Sequence, residues 1–345
     1  MKHNIRRLFK LLIKAIITIG VFVILLRHEI VTADGIKQPI WQALLEQLDK
    51  VDIKSMLPFL LAAIFIKSIG IFSSMKRWQL LLRGQGIRFN LWHIIGSFLV
   101  GRFLGTFLPS TIGLDGYKLY DAARFSGKTA EPTAATAVEK IMGLVGILLT
   151  FTVALPFGYH VLEEHAIIVA LITVPVTFAL IILLLLFLFN PEPVTRIFRF
   201  FSPRRGKIAD FIDRVSRAAS AYKGRKKIFL SIIGLSFLVH FCTATMYYFT
   251  ALAIGVTKAD FWQITFASSI QIVATVLSPF TIAGEGVREV VQALLLAKSI
   301  GVSASVLSGA LGFWAAEALT LFGAIFLWTR RESYRPRVCE IDNNA

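Results

Sequence analysis

The chain has 345 residues, of which 56% are hydrophobic and only 17% charged, and its formal charge is +16. Soluble domains carry about 25% charged residues, whereas a mean hydropathy of +0.69 is that of a chain solvated largely by lipid. A water-soluble globular protein is excluded on these figures.

The chain opens with Lys2, Arg6, Arg7 and Lys10, then an apolar stretch from Leu11 to Leu26. A signal peptide cleaved after Val31-Thr32-Ala33 has the same outline. Arg27, His28 and Glu29 follow the stretch directly, however, and the repeat described below requires this helix, so it reads as a membrane span. Further along, Ala166 to Phe189 contains no charged residue, and Ile228 to Val256 contains none apart from His240. Apolar runs beyond about 18 residues cross a hydrocarbon core about 30 Å thick as helices.

Basic residues in short loops mark the cytoplasmic side. The N-terminus, Lys76 to Arg88, the linker Arg196 to Lys227, and Arg330 to Arg337 read as cytoplasmic. The loops near Asp34 to Asp52 and Tyr159 to His165 read as external. Spans are therefore predicted at 8–27, 55–74, 133–155, 166–189, 228–254 and 306–329, with both termini on the inner face of the cytoplasmic membrane. The basic linker is read as contacting anionic lipid rather than nucleic acid.

Two segments are left over: residues 90–130 begin and end inside, and residues 260–300 begin and end outside. Each is long enough for a helical hairpin that enters the membrane and returns, an arrangement tolerated only where protein or water satisfies the turn. Aligned in one register, Trp92 falls on Trp262, Ile94 on Ile264 and Pro109 on Pro279. The tips then share P-x-T-I-x-x-[DE]-G, from Pro109, Thr111, Gly113, Asp115 and Gly116 to Pro279, Thr281, Gly284, Glu285 and Gly286, with Lys118 over Arg288. Three spans lie between the hairpins, so the second copy is inverted. The fold class predicted is an all-α polytopic membrane protein of about six full spans and two re-entrant hairpins, with inverted halves 1–160 and 161–345. Inverted halves broken by Pro and Gly are the recurring plan of alternating-access transporters.

At each tip, proline ends one arm, glycines permit the turn, and the next helix offers unpaired N–H groups and a positive dipole end that suits an anion such as phosphate. Arg102, Lys118 and Arg288 are the candidate cations for that anion, while Glu139, Lys140, Glu289 and Glu317 are candidates for charge balance or proton coupling. Asp115 and Glu285 are expected to pair with neighbouring cations or carry a coupling proton. The competing reading is interfacial loop charge for the tip residues and, for Glu139 and Glu317, a structural ion pair, that of Glu139 being with Lys67 or Arg102. Lys67 reads as a snorkelling side chain, His93 and His240 as histidines satisfied by a neighbour, and Gly96, Gly101, Gly105, Gly143 and Gly146 as helix-packing positions. No metal site, cofactor or disulfide between Cys242 and Cys339 is predicted. No Walker A, H-E-x-x-H or G-x-S-x-G motif occurs, which argues against an enzyme.

The sequence resembles the flippase-like transmembrane family named for the membrane region of lysylphosphatidylglycerol synthase, the multiple peptide resistance factor. The resemblance runs from about Arg77-Trp78 to Trp328. It rests on Leu108 to Gly116, on Val138-Glu139-Lys140-Ile141-Met142-Gly143, and on Ser278-Pro279 followed by Gly284-Glu285-Gly286-Val287-Arg288-Glu289. It implies translocation of a lipid with a charged head group, such as an aminoacylated phosphatidylglycerol or a polyprenyl-linked lipid. The chain departs from the family in Pro109-Ser110-Thr111, where Pro-Gly-Gly is common, and in Lys140, where Arg is usual. No soluble aminoacyl-transferase domain follows Trp328, so synthesis of a lysyl lipid is not expected. The readings carried forward are a lipid flippase, an ion-coupled permease for a small anion, and an accessory subunit of a lipid-modifying enzyme. A lipid-modifying enzyme partner and self-association both remain open.

Overall fold

A computed structural model of the chain describes residues 2–31, 37–107, 112–189, 226–258, 260–278 and 284–329. Pro109, Thr111, Pro279, Thr281, residue 32 of the cleavage motif and the basic linker up to Arg225 lie outside them. The described chain is all-α apart from one short hairpin. In order it comprises α1 (Lys2–Arg27), β1 (Glu29–Val31), β2 (Lys37–Pro39), α2 (Ile40–Asp49), α3 (Ile53–Gly84), α4 (Leu91–Phe107), α5 (Ile112–Ser126) and α6 (Ala130–Gly158). After a 3₁₀ turn at Tyr159–His165 come α7 (Ala166–Phe189), α8 (Lys226–Ala253), α9 (Phe261–Leu277), α10 (Val287–Ile300), α11 (Val302–Glu317) and α12 (Leu321–Thr329).

Among the described residues, four helical stretches are long and apolar enough to cross a membrane: Ile53–Gly84, Ala130–Leu162, Lys227–Ala253 and Val302–Thr329. The expected spans 8–27 and 166–189 are also helical, as α1 and α7. Along α7, Ile167, Ile168, Leu171, Ile172, Phe178 and Ile182 are exposed. A continuous apolar surface of this kind is a liability in water and the expected surface in lipid. The protein is an all-α membrane protein.

Two local predictions change. The segment expected as an external loop near Asp34 to Asp52 contains β2, which pairs antiparallel with β1 just before the segment, Ile30 opposite Gln38, and the ten-residue α2. Ile40 and Ala43 face inward on α2, while Trp41, Leu45 and Leu48 stay exposed. Too short to span, this helix has the pattern of one lying along the interface. The predicted span 55–74 runs further, as α3 continues through Lys76 and Arg77 to Gly84. Basic residues usually mark the end of a span, but the buried Arg77 is neutralised by Glu139, so the helix need not stop there. Its start is set by Asp52, whose carboxylate accepts from the Lys54 and Ser55 N–H groups and the Ser55 hydroxyl. These hydrogen bonds, that from the Ser55 hydroxyl foremost, hold the carboxyl below its usual range.

The long helices α3 and α8 form the central pair, in close contact where Gly70 meets Cys242 and the Val239 carbonyl. On one side α9 packs on α6, where Gly158 sits under Trp262 and Phe266. On the other side α4 packs on α12, where Gly96 meets Phe326 and Gly323 meets the Leu99 backbone. Both leftover segments are helical hairpins. In the first, Gly105 meets Gly113 and His93 meets Asp121, so α4 and α5 run antiparallel. In the second, α9 packs on α10 and Thr275 lies against Gly284.

The packing glycines separate into two kinds. A Cβ at Gly146 would overlap the Ser236 backbone on α8, whereas one at Gly143, a turn earlier, meets nothing within 4 Å. Gly143 is thus not the helix-packing position expected. Alanine stabilises a helix relative to glycine by about 1 kcal/mol, and overpacking costs about 1–3 kcal/mol. Gly143→Ala is therefore expected to raise the melting temperature in detergent and Gly146→Ala to lower it, opposite signs that a thermal unfolding comparison checks directly.

Candidate functional site

Three polar clusters lie inside the apolar helices. The first gathers on Glu139 of α6, which is buried. Lys118 of α5 reaches its carboxylate at 2.7 Å and Arg77 of α3 reaches it at 3.4 Å. The Lys118 ammonium also lies 4.7 Å over the Trp78 ring and 5.2 Å over Phe98. Arg77 further donates to the Ser236 hydroxyl on α8 at 3.1 Å. Asp115, on the turn before Lys118, pairs with it at 3.5 Å and also with Lys140. The expected partners of Glu139, Lys67 and Arg102, are not its partners: α5 and the extended end of α3 supply closer cations. His93 and Asp121 join the two hairpin arms at 2.7 Å.

The second cluster is at the second hairpin. Gly284 and Gly286 take φ of +75° and +82°, a region open to glycine, and at Gly284 a Cβ would overlap the Thr275 methyl. The Gly286 N–H donates to Glu289 at 2.8 Å, the reciprocal half of a capping arrangement that starts α10. Arg288 sits 3.8 Å from Glu289, and its guanidinium lies 4.9 Å from the Phe313 ring centre. Both Arg288 and Glu289 are buried. Glu285 is half-buried and lies in the electrostatic range of Arg288, Glu289 and Glu317.

The third cluster links α4 to α11. Arg102 of α4 donates to Glu317 at 2.7 Å and to the Ala316 carbonyl at 3.2 Å, and the Thr106 hydroxyl reaches Glu317 at 3.3 Å. Lys67 of α3 donates to the Thr243 hydroxyl at 2.9 Å and lies in the field of Arg102, Glu317 and Arg288. Rather than snorkelling toward an interface, its ammonium hydrogen-bonds across the central helix pair.

Of the tip residues, Gly113 is at the close approach of the first hairpin and Gly116 is exposed beside open space. Sequence reasoning missed Arg77, taken for loop charge, and Lys67. It also missed Tyr247, Gln271 and Gln292, all buried; amide side chains within apolar helices were the available signal. Among the described residues no three His, Cys, Asp or Glu side chains gather as a metal site.

A groove of about 250 Å³ opens beside the third cluster, lined by Ser68, Ile71, Phe72, Met75, Leu99 and Leu319 among others. Ser68 follows Lys67, Leu99 lies one helical turn before Arg102, and Leu319 lies two residues past Glu317. The apolar groove thus lies next in the chain to partly buried charged residues of the membrane-spanning helices.

Helical hairpins, apolar helices and internal charged clusters define an integral membrane protein built around polar groups within its own interior. The model for the transmembrane region of lysylphosphatidylglycerol synthase matches residues 8–325, and the chain belongs to that family. It is also similar to a UPF0104 membrane protein of Pyrococcus horikoshii, 24% identical over 323 residues that cover 85% of this chain and 93% of that protein.

Breaking a buried ion pair by removing one partner costs about 3–5 kcal/mol. Glu139→Gln, which strands Lys118 and Arg77, is expected to lower stability by that order, and Glu139→Gln combined with Lys118→Met to recover part of it. A double-mutant cycle on unfolding in detergent measures the coupling.

Proposed function

We propose that this protein translocates a lipid with an anionic or phosphate-containing head group across the cytoplasmic membrane. One observation carries the reading: the lining of the apolar groove between α3, α4 and α12 includes Ser68, Leu99 and Leu319, each within three residues of Lys67, Arg102 or Glu317. Intramembrane ionisable groups are costly and ordinarily serve a pathway or site. A channel for a small aqueous anion has no use for an apolar groove facing lipid. A lipid needs both parts, with its tail in the groove and its head group at the cations.

The mechanism proposed is alternating access between halves 1–160 and 161–345, related as an inverted repeat. The reciprocal packing of α4 on α12 and of α9 on α6 supports this, because each hairpin rests on the last spanning helix of the opposite half. Both termini would be cytoplasmic. Arg102 and Lys67 would take the phosphate, Glu317 releasing Arg102 as the lipid arrives. Lys118 is already committed to Glu139, so its role would be to hold the first hairpin in position. The lipid would leave chemically unaltered, with no cofactor.

Loss of a charged hydrogen bond costs about 1.5–3 kcal/mol, a factor of ten or more. Arg102→Ala is accordingly expected to slow transbilayer movement of head-group-labelled phosphatidylglycerol in proteoliposomes by about tenfold or more, with Arg102→Lys less affected. Uptake of a soluble anion into the lumen without lipid movement would establish the permease reading instead.

A further inference from the structure

The second hairpin holds buried polar atoms that the proposed phosphate site does not use. Gln292 of α10 is fully buried, and neither its amide nitrogen nor its amide oxygen has a hydrogen-bond partner. Gln271 of α9 donates to Thr275 and to the Tyr247 oxygen, leaving its own amide oxygen without a partner. One turn earlier on α9, the hydroxyl of Ser268 is also buried and unbonded. A buried polar group without a partner costs its full desolvation and ordinarily marks a missing water, ion or ligand.

Gln292 and Tyr247 meet one strip of α11. Gly309 lies under the Gln292 amide, its Cβ position 3.0 Å from the amide oxygen and 3.6 Å from the Glu289 side chain. Gly312, one turn on, lies under the Tyr247 ring. Residues three apart share a helix face, so the two glycines bring Tyr247 and its partner Gln271 alongside Gln292 and Glu289.

The donor and acceptor inventory selects the ligand. A metal cation would meet the Arg288 guanidinium, paired with Glu289 at 3.8 Å. A bare anion would meet the Glu289 carboxylate and two amide oxygens. Hydroxyl groups both donate and accept, and they satisfy an amide nitrogen and an amide oxygen at once. From this arrangement we infer that the second hairpin binds the hydroxyl-bearing part of the head group, glycerol or sugar, and that Gln292 discriminates polyol lipids from lipids ending in a bare phosphate. This rests on the lipid reading above and adds a specificity site to it.

The test compares transbilayer movement of labelled phosphatidylglycerol and labelled phosphatidate in proteoliposomes holding the full chain. Losing such hydrogen bonds is expected to slow phosphatidylglycerol by about tenfold in Gln292→Leu while leaving phosphatidate within about twofold of the unsubstituted protein. Leu294→Ala, at an exposed position on the same helix, is expected to move both lipids normally. The melting temperature of Gln292→Leu should equal or exceed that of the unsubstituted protein, because an amide without partners has been removed. Equal slowing of both lipids, no change in either, or a lower melting temperature, as a structural hydrogen bond would produce, overturns the specificity site alone. Failure of the folded, unsubstituted protein to move either lipid overturns the lipid reading and this inference together.

Discussion

Much of this structure depends on the neutralisation of charge around Glu139. One carboxylate on α6 takes a lysine from α5 and an arginine from α3, and that arginine reaches on to Ser236 of α8. Each charge alone would be prohibitive in a low-dielectric interior, so the helices that carry them hold together or the charges leave. Four helices are thereby fixed at one point. The arrangement also releases α3 from stopping at its basic residues, which gives it the length to pair with α8.

The two hairpins share a sequence pattern and differ in how their polar groups are satisfied. In the first, Asp115, Lys118 and Lys140 answer one another, and His93 with Asp121 ties the arms. In the second, Glu289 spends one oxygen on the turn itself, at the Gly286 N–H, and Gln292 has no partner. The first hairpin is therefore electrostatically closed, and the second is open to another ligand.

Much of this was legible in the sequence, for a physical reason. Composition and long apolar runs are direct statements about solvent, so helix positions such as 166–189 and the two hairpin segments could be read from them. Glycines beside an acid and a base marked the turn of the second hairpin, because few residues tolerate the φ that Gly284 and Gly286 adopt, whereas Gly113 and Gly116 of the first hairpin lie within α5. Pairing was not legible. Arg77 looked like loop charge because its partner lies 62 positions away, and Lys67 looked like a snorkelling residue because Thr243 is 176 positions away. Gln292 stood out only as an amide in an apolar helix, since the missing partners of an amide become visible only once its surroundings are packed.

The knot at Glu139 bears on how the chain is made. Synthesis runs from the N-terminus, so Arg77 and Lys118 emerge from the ribosome before the carboxylate that will neutralise them. Until α6 arrives, Arg77 lacks its carboxylate and Lys118 has only Asp115, at 3.5 Å, so the polar end of α3 and the second arm of the first hairpin are incompletely neutralised. The arrival of Glu139 is what completes the neutralisation of both cations.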